Sequence, residues 1–185
     1  MNILKLMLLY ACISLCANNV NADVTNLMAL ANKDLGKIKF HREPRDVTKT
    51  SFETSDFAKQ DVADFRDKFL LLNFWALWCA PCVKEMPALD RLKATLKNKD
   101  FEIITLATGR NSITKVQDFF EENRLMFLKQ YFDPKSEFAK ASGISVLPTT
   151  LMINYEGKEV ARVEGIINWD SPDSKKLFLE WLEIR

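Results

Sequence analysis

Residues 69–82 read Phe-Leu-Leu-Leu-Asn-Phe-Trp-Ala-Leu-Trp-Cys-Ala-Pro-Cys, and the rest of the fold can be worked out from this stretch. Its first part, 69–75, is a short apolar run typical of a buried strand. Residues 83–96, just beyond it, repeat apolar side chains at helical spacing. Cys79 and Cys82 therefore stand where a strand turns into a helix, and a Cys-x-x-Cys motif in that setting indicates redox chemistry.

The composition is that of an ordinary globular domain with a large core. The chain has 185 residues, of which 48% are hydrophobic and 28% charged, and 13 Phe supply apolar volume. Its formal net charge of +1 disfavours nucleic acid or anionic lipid as the main partner. A chain of this length holds one compact domain plus a tail, and we expect a monomer.

The first 22 residues have the pattern of an export signal. Lys5 closes a short positive segment, residues 6–15 are apolar, and Val20-Asn21-Ala22 is an acceptable cleavage site. The apolar run is shorter than the ~20 residues that a spanning helix prefers. We expect residues 1–22 to be a signal peptide or a membrane anchor, and residues 23–185 to form a domain outside the cytoplasm.

The cysteines of the exported domain predict function rather than stability. Cys12 and Cys16 fall in the export segment, which leaves Cys79 and Cys82. A pair so close in sequence closes a small loop and stabilises little, whereas a structural disulfide usually joins distant segments. A zinc site needs about four N or S ligands. Because the domain has one His and no second cysteine pair, we expect no metal and no cofactor.

The two cysteines are predicted to differ in role. Cys79 stands at a helix N-terminus, where unpaired N–H groups and the helix dipole stabilise a thiolate, so it is predicted to be the nucleophile. Cys82, about one turn further on, is predicted to be the resolving thiol. Pro81 lies early in the helix, where its missing N–H is tolerated, and shapes the loop between the thiols. The predicted reaction is thiol–disulfide exchange.

Other residues near this motif are candidates for supporting roles. Trp78 directly precedes the predicted nucleophile and is expected to shield it, whereas Trp75 suits the core as well as the site. Glu85 follows the second cysteine by three residues, where a carboxylate could relay protons, raise the thiol pKa, or be a solvated helix charge. Pro148 precedes a predicted strand, to which it cannot donate a hydrogen bond.

The remaining pattern predicts a mixed α/β sheet with helices on both faces. A crossover helix joins two parallel strands, and a hairpin adds antiparallel pairs. Besides 69–75, strands are expected at 101–108, 149–153 and 159–163, and helices at 81–96, from Ser112 to about Asn123, at 136–142 and at 173–182. Residues 127–132 are either a short strand or a loop.

An N-terminal extension precedes this core. Residues 23–36 are predicted to form a short helix, and the polar residues 37–54 an extended lead-in. His41 lies alone in that lead-in and is expected to be exposed or to cap a helix.

These residues resemble the thioredoxin fold, through the motif at 74–82, Pro148 entering a strand, and the final hairpin. Asn73-Phe74-Trp75 with Glu85-Met86-Pro87 is similar to the exported TlpA, ResA and CcmG branch of that family. Residues 147–150 and Trp169-Asp170-Ser171-Pro172 resemble the TlpA proteins of alphaproteobacteria. Cytoplasmic thioredoxins usually carry aspartate where Asn73 stands, so their own proton relay is not expected here.

The resemblance implies a periplasm-facing disulfide reductase, soluble or tethered to the inner membrane. It implies Cys79 and Cys82 as the redox pair, Pro148 as the cis-proline beside them, and Glu85 as the acidic residue of the branch. It also implies a membrane electron donor and protein disulfide clients: a copper-binding subunit of cytochrome oxidase and the copper chaperone that loads it. The alternative client is apocytochrome c, through its haem-attachment cysteines.

Three other classes stay open at this point: a disulfide-forming oxidant, a copper-binding module and a redox-silent scaffold. Copper modules of similar fold usually space their cysteines more widely and add a downstream histidine, whereas His41 lies upstream. The reduction potential separates oxidant from reductant, since each ~30 mV of a two-electron couple corresponds to about 1.4 kcal/mol.

Overall fold

The computed structural model describes residues 27–31 and 35–184. The strands are β1 (Ile38–Asp46), β2 (Phe52–Thr54), β3 (Lys59–Gln60), β4 (Phe69–Trp75), β5 (Phe101–Thr108), β6 (Lys129–Asp133), β7 (Thr149–Ile153) and β8 (Lys158–Glu164). The α-helices are α1 (Ala80–Thr95), α2 (Ile113–Glu122), α3 (Glu137–Ala141) and α4 (Pro172–Trp181), and a 3-10 turn covers Val62–Phe65.

All of these strands join one mixed sheet in the order β1-β8-β7-β4-β5-β6-β2-β3. β4 runs parallel to β5, and β5 to β6, while β7 is antiparallel to both β4 and β8. Helices α1, α2 and α4 pack on one face, and α3 and the 3-10 turn pack on the other. The predicted mixed sheet with helices on both faces is confirmed.

The central strand β4 is buried along its whole length because both faces of the sheet are covered. Its side chains alternate between the faces. Phe69, Leu71 and Trp75 enter the core beneath α1, whereas Leu70, Leu72 and Phe74 enter the core beneath α3. Asn73 lies on the same face of β4 as the first three, so its amide points toward α1. This single polar residue in an apolar strand is thereby aimed at the helix that carries Cys82.

Helix α1 presents its predicted apolar face to the sheet. Met86, Leu89, Leu92 and Leu96 are fully buried, while Val83 lies at the margin of that face and is only half-buried. The observed bounds, Ala80–Thr95, differ by one residue at each end from those expected.

The lead-in 37–54 is extended, as expected, but it pairs into the sheet: β1 lies beside β8, and β2 beside β6. The expectation for His41 was wrong. Its Nε2 lies 2.6 Å from Glu159 Oε1, and its side chain is 7% exposed. The reason is the β1–β8 pairing, which brings His41 onto a carboxylate that also accepts hydrogen bonds from Arg162. Burial opposes ionisation of Glu159, but the bonds from Arg162 and His41 outweigh it and lower its pKa.

The other predicted elements are placed closely. Residues 127–132 supply a strand, β6, rather than a loop, and the hairpin β7–β8 and the last helix form as expected. Of the N-terminal helix predicted at 23–36, only residues 27–30 are described as helical; the rest, apart from 31, 35 and 36, lies outside the described residues, as does the export segment 1–22. Within the described part of the chain, no helix combines the length and apolar character needed to span a membrane.

Candidate redox site

Cys79 and Cys82 form a disulfide at the junction of β4 and α1, with an S–S distance of 2.02 Å. Cys79 is the N-cap residue of α1, and its backbone N–H donates to Ala76 O at 3.1 Å, which closes the turn between strand and helix. Cys79 is 6% exposed and Cys82 is fully buried. The site therefore holds two sulfurs that can alternate between dithiol and disulfide, and of the two residues only Cys79 keeps a small exposed fraction.

The aromatic and proline neighbours of the motif occupy different environments. Trp78 is 68% exposed, and Pro81 is exposed in the first turn of α1. Trp75 is fully buried, and its ring packs 5.6 Å and 6.0 Å, centroid to centroid, from Phe119 and Phe120 of α2. Of the two interpretations for Trp75, the structure supports the core residue.

Pro148 is buried at the same end of the sheet as the redox turn. Thr149, the next residue, pairs with Phe74 near the end of β4, which sets Pro148 at the level of the strand-to-helix junction. The Leu147–Pro148 peptide bond is cis. The carbonyl of Pro148 accepts a hydrogen bond from Gly165 N at 2.8 Å, which ties this segment to the loop after β8.

Glu85 is a buried acid, so the alternative of a solvated helix charge is wrong. Its side of α1 faces the sheet, and the residue is 4% exposed. Oε1 accepts from Asn73 Nδ2 at 2.8 Å, and Oε2 accepts from Trp169 Nε1 at 2.7 Å. Burial raises the pKa of Glu85 from its ordinary 4.5 to about 7, and the two hydrogen bonds only partly oppose that rise.

The amide of Asn73 is matched to both protonation states of Glu85. Asn73 is fully buried and donates also to Thr150 Oγ1 at 2.9 Å, while its own Oδ1 has no hydrogen-bond partner in the described structure. Turning the amide by half a revolution would present Oδ1 to a protonated Glu85 and to the Thr150 hydroxyl, which can donate as well as accept. The pair can therefore gain or lose a proton without leaving the Glu85 carboxyl unpaired.

Two members of this network escaped the sequence analysis. Trp169 stood out only as part of a family-like patch, and nothing local connects it to Glu85, which lies 84 positions away. Thr150 depends on the register of β7 against β4, which places it opposite Asn73. The alternation of β4 was the one signal that could have paired Asn73 with α1 in advance.

We expect Glu85→Gln to remove a pH-dependent loss of stability from the oxidised protein. Between pH 4.5 and about 7 the folded state keeps a proton on Glu85 that the unfolded chain has released, so the free energy of unfolding falls as pH rises through this window. Urea unfolding gives the free energy of unfolding at pH 5 and at pH 8. The fall between these two pH values should be larger in the wild type than in the variant by about 2–3 kcal/mol. Glu122→Gln, on the exposed end of α2, is the matched control. Identical pH dependence in wild type and Glu85→Gln would contradict this assignment.

The family model described as Redoxin matches residues 43–177. The chain belongs to the redoxin family. Among curated relatives, the thiol-disulfide oxidoreductase ResA of Bacillus thuringiensis subsp. konkukian (strain 97-27) is 36% identical over 107 residues, which cover 58% of this chain and 61% of the relative. ResA of Bacillus anthracis is 32% identical over 132 residues, covering 71% of this chain and 73% of that protein. The chain thus spans less than two thirds of the length of the first relative and more than two thirds of the length of the second.

A solved structure carries the same fold as this redoxin domain. The thiol:disulfide interchange protein of the thioredoxin family from Chlorobium tepidum TLS superposes with a TM-score of 0.63 at 20% identity, over 77% of this chain and 99% of that one. The thioredoxin fold is therefore confirmed, and ResA confirms the predicted branch of the family. The narrower resemblance to alphaproteobacterial TlpA proteins stays a prediction.

Proposed function

We propose that this redoxin-family protein is an exported thiol:disulfide oxidoreductase that reduces disulfides in partner proteins. The observation that carries the proposal is the Cys79–Cys82 disulfide at the start of α1, with Cys79 as the helix N-cap. The positive end of α1 favours a thiolate on Cys79, and thiolates are the reactive species in disulfide exchange. The naming of the ResA relatives as thiol-disulfide oxidoreductases supports the same activity.

The proposed reaction has two steps that balance. The Cys79 thiolate of the reduced protein attacks a client disulfide; the client S–S bond breaks, a mixed disulfide forms, and the first client sulfur leaves as a thiolate that takes up a proton. Cys82, once deprotonated, attacks Cys79 Sγ and releases the second client sulfur. The client gains two electrons and two protons, and the protein ends as the Cys79–Cys82 disulfide. A dithiol donor in the membrane returns it to the reduced form.

Glu85 is the proposed proton acceptor for Cys82. Cys82 is fully buried, so its thiol needs a base within the protein before it can attack. Glu85 lies one helical turn away, and its pKa of about 7 leaves it partly ionised at neutral pH, which suits a group that must both take and return a proton. Asn73 and Trp169 hold its two oxygens in place during that exchange.

The remaining predicted site residues are proposed to shape access to Cys79. Trp78, exposed beside it, shields the sulfur from solvent and offers an apolar surface to the client. Pro148, at the same end of the sheet, borders the site from the residue just before β7, and Pro81 fixes the first turn of α1 between the two thiols. This arrangement leaves a client segment a restricted approach to one sulfur.

The proposed place of action is the periplasm, with residues 1–22 as signal or anchor and residues 23–185 as the working domain. The proposed clients are copper-binding thiols used in building cytochrome oxidase: an oxidase subunit and its copper chaperone. This part of the proposal depends on the resemblance of residues 147–150 and 169–172 to TlpA proteins.

Capture of the client tests this assignment. The full-length Cys82→Ser variant, expressed in the cell envelope of its native host, should accumulate mixed disulfides on Cys79 because the resolving thiol is gone. The double variant Cys79→Ser with Cys82→Ser is the matched control and should capture nothing. Identification of an oxidase copper protein by mass spectrometry is the expected result. Apocytochrome c in the complex would replace the proposed client with the alternative, and an adduct in the double variant would contradict the role of Cys79.

A further inference from the structure

The turn that carries the predicted nucleophile is fastened to the neighbouring loop by one side chain. Residues 76–79 connect β4 to α1, and Leu77 N–H donates to Asn111 Oδ1 at 2.9 Å. Asn111 lies 34 positions further along the chain, in the loop between β5 and α2. Asn111 belongs to no motif in the sequence and has no part in the proposed mechanism.

Three contacts fix the amide of Asn111 in one orientation. Its Oδ1 faces the Leu77 N–H, and its Nδ2 donates to Thr108 O at 3.0 Å and to Gly109 O at 3.4 Å. The amide oxygen therefore faces a donor and the amide nitrogen faces two acceptors. An amide rotated by half a turn would place N–H against N–H and oxygen against oxygen. Aspartate has no N–H to give the two carbonyls, and glutamine would need to fit an additional methylene into the same space.

The loop that holds Asn111 is itself anchored to regular structure. Gly109 N donates to Asp133 O at the end of β6 at 2.9 Å, and Ser112, the N-cap of α2, accepts from Lys115 N at 3.4 Å. Gly109 has a φ of +77°, and a Cβ there would lie 3.3 Å from Ser136 Oγ, so the loop conformation favours glycine. Asn111 thus joins the redox turn to a loop that has little freedom of its own.

We propose that Asn111 is a positioning residue for the nucleophile: it sets the path of residues 77–79 and thereby the orientation of Cys79 Sγ toward the first turn of α1. This inference deepens the proposed function and rests on Cys79 being the attacking thiol. The stabilisation of a thiolate by a helix N-terminus depends on that orientation. Without the Asn111 amide, Leu77 N–H loses its acceptor and the turn gains conformational freedom.

Two variants and a matched control test the proposal in the reduced protein. Asn111→Ala removes all three contacts, and Asn111→Asp keeps the acceptor but adds negative charge near the turn. Asn123→Asp is the control, because Asn123 is the C-cap residue of α2 and its Nδ2 donates to Phe119 O at that end of the helix. The readouts are the pKa of Cys79 from thiolate absorbance, the equilibrium with glutathione, and kcat and KM on a peptide disulfide.

We expect both Asn111 variants to raise the pKa of Cys79, with the larger rise in Asn111→Asp, and to lower kcat/KM at neutral pH by about tenfold. Asn123→Asp should match the wild type. Lower thermal stability with an unchanged Cys79 pKa, glutathione equilibrium and kcat/KM would overturn the proposal and leave Asn111 a structural residue.

Two measurements that need no substrate keep the inference separate from the proposed function. The Cys79 pKa needs no substrate, so a wild type that reduces no disulfide would refute the function while the pKa still decides the role of Asn111. If neither variant folds, amide hydrogen exchange of Leu77 in the wild-type protein decides instead. Slow exchange, as for a bonded amide, is the expected result, and exchange at the rate of an exposed loop amide would overturn the proposal.

Discussion

Replacing Cys79 by Ser is expected to abolish disulfide reduction, a loss of ~10³-fold or more, because a serine hydroxyl is a far weaker nucleophile at neutral pH than a thiolate. Cys82→Ser makes the same replacement of sulfur by oxygen, one helical turn away. It should keep the first step, releasing one client thiol and stopping at a mixed disulfide. The assay is reduction of a peptide disulfide by the pre-reduced protein, followed by mass spectrometry of the adduct.

The two serine variants also decide which sulfur attacks. We expect an adduct on Cys79 in the Cys82→Ser protein and none in the Cys79→Ser protein. The exposures agree with this order, since Cys79 keeps a small exposed fraction and Cys82 is fully buried. An adduct carried by Cys82 in Cys79→Ser, at a comparable rate, would reverse the proposed roles.

The second large effect is expected from Trp169→Phe, which should lower the free energy of unfolding by about 2–3 kcal/mol. The loss combines a hydrogen bond to a buried carboxylate with the smaller volume of the ring. Trp169 Nε1 lies 2.7 Å from Glu85 Oε2, and its ring stacks on Phe178 of α4 at 6.0 Å between centroids. Because the lost hydrogen bond favoured the ionised acid, the pKa of Glu85 should rise further.

Trp181→Phe is the matched control for this prediction. Trp181 is also buried and packs on Phe178, at 6.1 Å between ring centroids. The hydrogen bond to the Glu85 carboxylate, however, is donated by Trp169. Urea unfolding gives the stabilities, and carboxyl NMR signals give the Glu85 pKa in each protein. Equal losses of stability in the two variants, with the Glu85 pKa unchanged in both, would contradict the role given to Trp169.

The part of the site that the sequence predicted is local. Cys79, Pro81 and Cys82 are close neighbours in the chain, and a strand followed directly by a helix fixes their arrangement. The same holds for the fold, since β4 and α1 together determine which faces are buried. Pro148 entered the prediction through its place before a strand and through the family resemblance.

The part that sequence reasoning missed depends on contacts between distant segments. Glu85 meets Trp169 across 84 positions, and His41 meets Glu159 across 118. Both contacts need the final arrangement of β8 and its neighbouring segments, which spacing and periodicity do not encode. His41 was expected to be exposed or to cap a helix because it lies in a polar segment, yet β1 pairs with β8 and buries its side chain.

The polar residues of the site surround the cysteine pair from separate directions. Asn73 and Trp169 hydrogen-bond to Glu85 on the buried face of α1, one helical turn after Cys82. Asn111 holds the turn before Cys79. The first set would govern the proton needed by Cys82, and the second the orientation of Cys79, so their variants should affect different steps of one reaction.

The reduction potential of the Cys79–Cys82 pair, measured by equilibration with glutathione, tests the central claim most directly. A reductase of partner disulfides must hold its disulfide more stably than its clients hold theirs. We expect a potential more negative than about −200 mV, in the range of reducing members of this fold. A value near −120 mV, typical of strong disulfide-forming oxidants, would contradict it.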